Sequence, residues 1–150
     1  MYGQASQQAA PATLTVSGDI PARLVLKAEE LLQMSRETVS IQEDGSNVDY
    51  EGVLLREILK RAGAPTEKEL RGKALASYVL AKARDGYQVV FTLAEVAPEF
   101  ANERILVADK RDGKPLFGYH SPFRVVCPND RAGARSVRML DALEIVRLQK

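Results

Sequence analysis

Cysteine and histidine each occur only once in this chain, and each scarcity excludes a class of site. Of the 150 residues, one is cysteine and one is histidine. A single cysteine excludes an internal disulfide and any metal site built from several cysteines, and it leaves the redox compartment undecided. A catalytic zinc ion typically takes about three protein ligands, and the carboxylates that could join Cys127 and His120 form no recognisable pattern. We therefore predict no metal site and assign no catalytic residue.

Long apolar segments and an excess of one charge are also missing. No run approaches the roughly 20 apolar residues that cross a bilayer, so we expect no membrane span. Lysine and arginine total 21, against 20 aspartates and glutamates. This balance creates no global field that would attract nucleic acid, and we expect no nucleic-acid partner. Any anion binding must therefore be local.

Residues 1–12 are small and polar. They lack the basic start and the apolar centre of a signal peptide, and they are similar to the tail that often follows a removed signal. We expect a disordered tail at residues 1–12 and one stand-alone domain at residues 13–150. We also expect the protein to be periplasmic or secreted.

Hydrophobic periodicity predicts a strand-rich α+β domain with its helices concentrated in the first half. Alternating residues predict strands at Thr13–Ser17 and Glu37–Gln42. Apolar residues three and four apart predict helices at Leu26–Met34 and Val53–Ala62. Glu43–Asn47 has the composition of a loop, and its place at a strand end makes it a candidate site loop. By default we treat the carboxylates Glu43 and Asp44 as surface groups. Further short strands are predicted at Ala74–Val79, Tyr87–Phe91, Arg104–Val107, Arg124–Cys127 and Leu143–Leu148.

The lone histidine and the lone cysteine both lie between residues 117 and 140. His120 could act as a general base, a metal ligand or a donor to a bound anion, because imidazole titrates near neutral pH. It could equally fix a loop. Cys127 ends an apolar run, so we interpret it as a buried, inert strand cysteine rather than a nucleophile. A dyad with His120 would require the strand to carry the sulfur back to that loop.

Four arginines in the same stretch form a local cationic cluster around the small residues Ala132–Ala134. Guanidinium groups and loop amides together can hold the oxygens of phosphate or sulfate. The alternative is a solvated loop whose charges serve solubility. The arginines are Arg124, Arg131, Arg135 and Arg138.

Several motifs of the second half recur in the order and spacing of a known family. They are Asp85–Tyr87, Ile105–Leu116, Pro122–Val126 and Gly133–Leu140, and Tyr50–Leu59 adds a weaker match upstream. Together they resemble the molybdopterin-binding domain of the sulfite oxidase family over approximately residues 13–148. The resemblance implies a sulfite oxidase-like α+β fold, in which a mixed β-sheet with short helices holds a molybdenum pterin between loops.

The resemblance also implies a set of cofactor-binding residues. In that family, the segment matched by Gly133–Arg138 contacts the phosphate of the pterin through backbone and basic side chains. Arg138 stands where a lysine is usual, which keeps the charge but changes its geometry. The implied residues are Tyr87, His120, Arg124, Gly133, Arg135, Ser136, Val137 and Arg138.

The family's metal ligand has no counterpart here. In family enzymes, the strand that corresponds to Glu37–Gln42 leads to a cysteine whose thiolate ligates molybdenum, but this chain continues with Glu43. Cys127 belongs to a different motif. A carboxylate could contact a hard metal without reproducing a soft thiolate donor. The region before Tyr50 is also short for a complete pterin cage.

Three functions follow from this mixture of matches and departures. The first is a non-catalytic binding module for an anionic or pterin-like small ligand. The second is a molybdopterin-dependent oxidoreductase with an atypical metal site. The third is a structural or partner-binding scaffold without a small-ligand pocket. We expect the first, with molybdopterin as the cofactor that the resemblance implies and with molybdenum absent.

Overall fold

The computed structural model describes residues 12–149, so residues 1–11 of the expected tail lie outside the described residues. The described part contains ten strands and three α-helices. The helices are α1 (Ala28–Gln33), α2 (Leu55–Ala62) and α3 (Leu93–Val96). The strands are β1 (Thr13–Gly18), β2 (Leu24–Lys27), β3 (Glu37–Glu43), β4 (Ser46–Leu54), β5 (Ser77–Ala83), β6 (Gln88–Thr92), β7 (Leu106–Arg111), β8 (Lys114–Pro115), β9 (Arg124–Val126) and β10 (Leu140–Arg147).

The strands form two sheets. The first has the order β2-β1-β10-β5-β6, and the second has the order β3-β4-β7-β8 with β9 also paired to β7. Strands β1 and β10 run parallel, whereas the other pairs are antiparallel. This mixed-sheet arrangement with short helices confirms the predicted α+β class.

Helix α2 forms because its apolar residues fall on one face. Leu55, Ile58, Leu59 and Ala62 are all buried. Gly63 ends the helix in the left-handed conformation, with φ of 87°, and its amide donates to the carbonyls of the last turn. Glycine adopts this conformation without the steric cost that a Cβ would add. The helix and its end were both predicted from the sequence.

The two predicted helices begin later than the periodicity indicated. Leu26 is fully buried in β2, where it pairs with Leu14 of β1, so the first helix starts only at Ala28. In the second case Val53 and Leu54 extend β4 and pair with β7. Cross-strand hydrogen bonds and burial outweigh the helical spacing in both places.

The predicted loop Glu43–Asn47 is in fact a tight hairpin. Only Asp44 and Gly45 form the turn, because Glu43 already pairs with Ser46. Both turn residues have positive φ, at 50° and 79°. Such a two-residue turn matches the twist of the flanking strands. The loop that was expected to contribute to a site therefore contributes mainly through Glu43.

The strands of the second half exist but are displaced along the chain. β5 begins at Ser77 instead of Ala74, since the single-turn helix Gly72–Leu75 occupies the preceding residues. Ala74 donates its amide to Arg71 within that turn. Boundaries of this kind depend on local turns, whereas the alternation of β5 is regular, with every second residue buried.

Two apolar clusters stabilise the domain. The larger one packs the first sheet against α2, and the smaller one lies on the second sheet around Tyr50 and Leu106. Among residues 12–149, Arg124 is the only buried charged residue, at 4% exposure. It lies on β9 beside the smaller cluster. In the same range, no helix has the length and apolar character that a membrane span requires.

Candidate functional site

Arg124 organises a buried polar cluster where β9, β3 and β4 meet. Its Nη1 donates to Glu43 Oε2 at 2.9 Å and to the Tyr50 hydroxyl. The Tyr50 hydroxyl donates to Glu43 Oε1 at 2.5 Å, and the guanidinium lies 5.0 Å from the centre of the Tyr50 ring. Arg111 completes this Arg124 cluster by donating from Nε to the Tyr50 hydroxyl at 3.2 Å.

The Arg124 cluster contains two guanidinium groups and one carboxylate. Burial raises the pKa of Glu43, but hydrogen bonds from Tyr50 and Arg124 and the charges of Arg124 and Arg111 outweigh it and hold the pKa below its usual value. Burial, and then the hydrogen bond to Glu43, raise the pKa of Tyr50. At neutral pH, Glu43 is therefore a carboxylate and Tyr50 a neutral phenol. One donor stays unused, because the buried Arg124 Nε has no partner in the described part of the chain.

A cleft of about 510 Å³, here called the main cleft, lies against this cluster. Its walls contain six of the eight residues that the resemblance implied, together with side chains that sequence reasoning did not nominate. The lining residues are Glu43, Asp85, Tyr87, Tyr119, Arg124, Gly133, Ala134, Ser136, Val137, Arg138 and Met139.

The wall that contains Gly133–Arg138 is fixed by hydrogen bonds to neighbouring elements. Tyr87 donates its hydroxyl to the Ala134 carbonyl at 2.6 Å. Ser136 Oγ accepts from the Cys127 amide at 3.2 Å. These bonds hold the backbone of the segment, while the Arg138 guanidinium lies over the Tyr119 ring at 5.1 Å. The backbone of Gly133–Arg138 is therefore held in place, while the Arg138 side chain is exposed.

Arg135 does not line the main cleft. Its Nε and Nη2 donate to the two Asp130 oxygens at 3.0 Å, and its Nη1 donates to both Glu95 oxygens at 3.2 and 3.1 Å. The guanidinium also lies 4.8 Å from the centre of the Phe91 ring. Hydrogen bonding to Asp130, and then to Glu95, raises the pKa of Arg135. These residues form the Arg135 cluster, which ties the segment Gly133–Arg138 to Asp130 and Glu95.

His120 lines a second cavity rather than the main cleft. Its ring stacks on Tyr119 at 4.7 Å, and its buried Nδ1 has no partner within residues 12–149. Burial lowers the pKa of His120, and the positive charges of Arg124 and Arg138 lower it further. The imidazole is therefore neutral at pH 7, and the structure brings it to the edge of the predicted site.

Cys127 has the environment that was predicted for it. It follows directly after β9, is 7% exposed, and donates its thiol to the Arg135 carbonyl at 3.8 Å. Burial raises the pKa of Cys127 to about 12. A protonated thiol is neither a nucleophile nor a ready metal ligand. The hydrogen-bond partner of the sulfur is Arg135, so the dyad with His120 is not formed.

Glu43 is the functional candidate that sequence reasoning misjudged as a surface group. Its side chain is only 19% exposed and forms an ion pair with Arg124. The alternation of side chains along β3 could have indicated that Glu43 is partly buried, because residues two apart on a strand share one face. Val39, Ile41 and Glu43 therefore point the same way, and Val39 and Ile41 pack in or against the smaller core cluster.

Comparison with known proteins places the chain in a family. Residues 3–150 match the family described as the oxidoreductase molybdopterin binding domain. The chain belongs to this family. The resemblance drawn from the sequence motifs is thereby confirmed. No curated protein matches the chain.

The fold is shared with a solved enzyme. The sulfane dehydrogenase SoxCD from Paracoccus pantotrophus is similar with a TM-score of 0.70 and 21% sequence identity. The match covers 92% of this chain and 39% of the SoxCD chain. The similarity establishes the sulfite oxidase-like fold, and the chain spans well under half of the SoxCD chain it matches.

The main cleft fits the organic part of a molybdopterin better than its metal. Arg138 forms no ion pair within residues 12–149 and can bind a phosphate. Arg124 lines the same cleft, and its buried Nε has no hydrogen-bond partner in that range. Tyr87 and Tyr119 add aromatic surface. The lining contains no cysteine, so it offers no thiolate to molybdenum. No group of three or more metal-binding side chains gathers within the same residues.

Proposed function

We propose that this domain is a non-catalytic module that binds an anionic, pterin-like small molecule in the main cleft. The observation that carries the proposal is the buried Arg124, which lines the main cleft and whose buried Nε has no hydrogen-bond partner within residues 12–149. A buried donor without a partner costs roughly 1–3 kcal/mol. A ligand with an acceptor atom at that place would remove this cost.

Charge distribution supports a ligand with one anionic group. Glu43 already neutralises most of the charge of Arg124, so that end of the cleft suits a neutral acceptor such as a ring carbonyl or ring nitrogen. Arg138 also lines the main cleft, and it forms no ion pair in the described range. A guanidinium forms strong, charge-assisted hydrogen bonds to phosphate oxygens. The anionic group therefore belongs beside Arg138.

Aromatic side chains support a flat ring system. Tyr87 and Tyr119 line the main cleft and are 47% and 61% exposed. Exposed aromatic faces pack well against heterocycles. The cleft volume of about 510 Å³ lies within the roughly 300–1,000 Å³ that small-molecule sites usually enclose. A pterin with a phosphate group has these properties.

A molybdopterin-dependent oxidoreductase with an atypical metal ligand is the second candidate. It is favoured by one observation, the Glu43 carboxylate in the wall of the main cleft. Both oxygens of this carboxylate already accept hydrogen bonds, from Tyr50 and Arg124. A metal would have to displace these partners. We therefore prefer the binding module.

Metal and pterin analysis of protein from its native host separates the two candidates. We expect a pterin without stoichiometric molybdenum in the wild type. Arg138→Ala should reduce the retained pterin at least about tenfold, since a charge-assisted hydrogen bond is lost. Arg23→Ala, which removes an exposed arginine from the β1–β2 turn, is the matched control and should retain the wild-type amount.

Two results would reject parts of the proposal. Molybdenum in a one-to-one ratio with protein would replace the binding module by the oxidoreductase. Equal pterin in the Arg138 and Arg23 variants, or no pterin in any sample, would remove the main cleft as the binding site.

A further inference from the structure

A second cavity of about 470 Å³ lies outside the main cleft. It is lined by the β7–β8 hairpin and by the segment that follows it. Arg111, Lys114, Phe117 and His120 contribute the side chains with distinctive chemistry. Apart from His120, none of them belongs to the residues that the family resemblance implied. The second cavity is therefore a separate candidate for binding.

Two cations give this cavity a positive character. Arg111 is held in place by its hydrogen bond to Tyr50 and lies 3.6 Å from Glu43, yet its side chain is 41% exposed. Lys114 is exposed and forms no ion pair with any residue of the range 12–149. The Arg111 guanidinium and the Lys114 ammonium together are suited to bind an oxyanion. Because Arg111 is already held by Tyr50, binding loses little side-chain entropy at that residue.

One carboxylate lies among these cations. Asp112 also lines the second cavity, and its Oδ1 accepts a hydrogen bond from the Asp49 amide at 2.9 Å. Its charge offsets one of the two cations, which leaves a local excess of one positive charge. This local excess of positive charge is suited to one anionic group.

Phe117 adds an aromatic surface beside the cations. It is 79% exposed, the highest value among the large apolar residues of the described chain. Exposed aromatic rings at a cavity serve as stacking surfaces for planar ligands. His120 forms part of the same lining, with a neutral imidazole that can donate or accept one hydrogen bond.

We propose that the second cavity binds a small aromatic compound that carries a phosphate or similar oxyanion group. The oxyanion contacts Arg111 and Lys114, and the aromatic ring stacks on Phe117. This site adjoins the main cleft but does not depend on a ligand there. Its occupant is defined by two features together, a planar ring and one anionic group.

Titration with adenosine 5′-monophosphate, inorganic phosphate and adenosine tests the proposal on the purified chain. Calorimetry and amide chemical shifts should show saturable binding of the nucleotide, with shifts centred on residues 111–120. Lys114→Ala should weaken it about tenfold through the lost charged contact. Phe117→Ala should weaken it at least about fivefold through lost stacking. Adenosine and phosphate should each bind more weakly than the nucleotide.

Lys73→Ala is the matched control, because Lys73 is also exposed and lies outside both cavities. It should change the affinity less than about twofold. Absent saturation, or equal losses in the Lys73 and Lys114 variants, would overturn the site. Loss of nucleotide binding in Arg138→Ala would assign the nucleotide to the main cleft and also overturn it. Equal affinity for phosphate and nucleotide would overturn the stacking of the ligand ring on Phe117.

Lys114 and Phe117 are both exposed, so neither alanine variant should unfold the protein. Thermal unfolding of the variants should confirm this.

Discussion

The Arg124 cluster and the Arg135 cluster each combine an arginine with a carboxylate and an aromatic ring, but they differ in the donors that they leave unused. Arg135 has two carboxylate partners, and each of its three nitrogens donates to one of them. Arg124 has one carboxylate partner, and its buried Nε has none in the described residues. The Arg135 network is therefore closed, whereas the Arg124 network leaves one buried donor unpaired in a residue that lines the main cleft.

This difference separates a structural arginine from a binding arginine better than sequence motifs do. Arg135 lies inside the motif that resembles the pterin-binding segment, yet its donors hold Asp130 and Glu95. Glu43 lies outside every motif, yet it forms part of the main cleft. Membership of a motif locates a segment near a site, but hydrogen-bond partners decide which side chains can still accept a ligand.

Replacing Arg124 should have the largest effect on stability. Arg124→Met removes the nearer cation of the partly buried Glu43 carboxylate and leaves only Arg111, whose Nη2 lies 3.6 Å from Glu43 Oε1. The free energy of unfolding should therefore fall by about 3–5 kcal/mol. Urea denaturation followed by circular dichroism measures this loss. Arg23→Met, at an exposed position, should change stability by less than about 0.5 kcal/mol. A loss below about 1 kcal/mol for Arg124→Met would contradict the view that this pair is buried and interdependent.

Replacing Arg135 should cost less, although it breaks more hydrogen bonds. The Arg135, Glu95 and Asp130 side chains are 32%, 28% and 20% exposed, so water can solvate the two carboxylates after the change. We expect Arg135→Met to lower the free energy of unfolding by about 1–2 kcal/mol. The same denaturation experiment ranks the two variants. A greater loss for Arg135 than for Arg124 would reverse the comparison.

The smallest expected effect is a change of stability with pH in the acidic range, and it depends on Glu43. The pKa of folded Glu43 lies below the usual 4.5, so its ionised form stabilises the fold. This contribution is present above the unfolded-state pKa and is lost as the pH falls through the folded-state pKa. The stability difference between wild type and Glu43→Gln should therefore be largest at neutral pH and shrink as the pH falls below the usual pKa of 4.5.

Denaturation curves at several pH values measure this convergence. Glu99→Gln is the control, since Glu99 is exposed and forms no ion pair among residues 12–149. The free energy of unfolding of Glu99→Gln, plotted against pH, should stay at a constant difference from that of the wild type. A constant gap between wild type and Glu43→Gln at all pH values would mean that the charge of Glu43 contributes nothing.

Sequence patterns predicted those parts of the fold that rest on local periodicity. Helix α2 was found because its buried face and Gly63 are both visible in the sequence. Strand β4 was missed, since Asn47, Asp49 and Gly52 disfavour strands. It forms because β3 and β7 pair with it on both sides. Such pairing is a tertiary effect that a single sequence does not display.

The sequence predicted which segment of the chain lines the candidate site, but it did not predict the hydrogen bonds between side chains that are distant in the sequence. The motifs located the Gly133–Arg138 wall, because the chain keeps its order and spacing there. The pair of Arg124 and Glu43 joins residues 81 positions apart, and only the register of β3, β4 and β7 brings them together. Spacing in the sequence carries no information about contacts at that separation.

The position of β10 determines when this domain can fold. Leu140–Arg147 lies at the centre of the first sheet, parallel to β1 on one side and antiparallel to β5 on the other. During synthesis, β1 emerges long before the strand that completes its sheet. Contacts between distant segments slow folding because loop closure must come first. Until β10 has left the ribosome, β1 and β5 each lack one neighbouring strand, and unpaired strand edges of this kind favour aggregation.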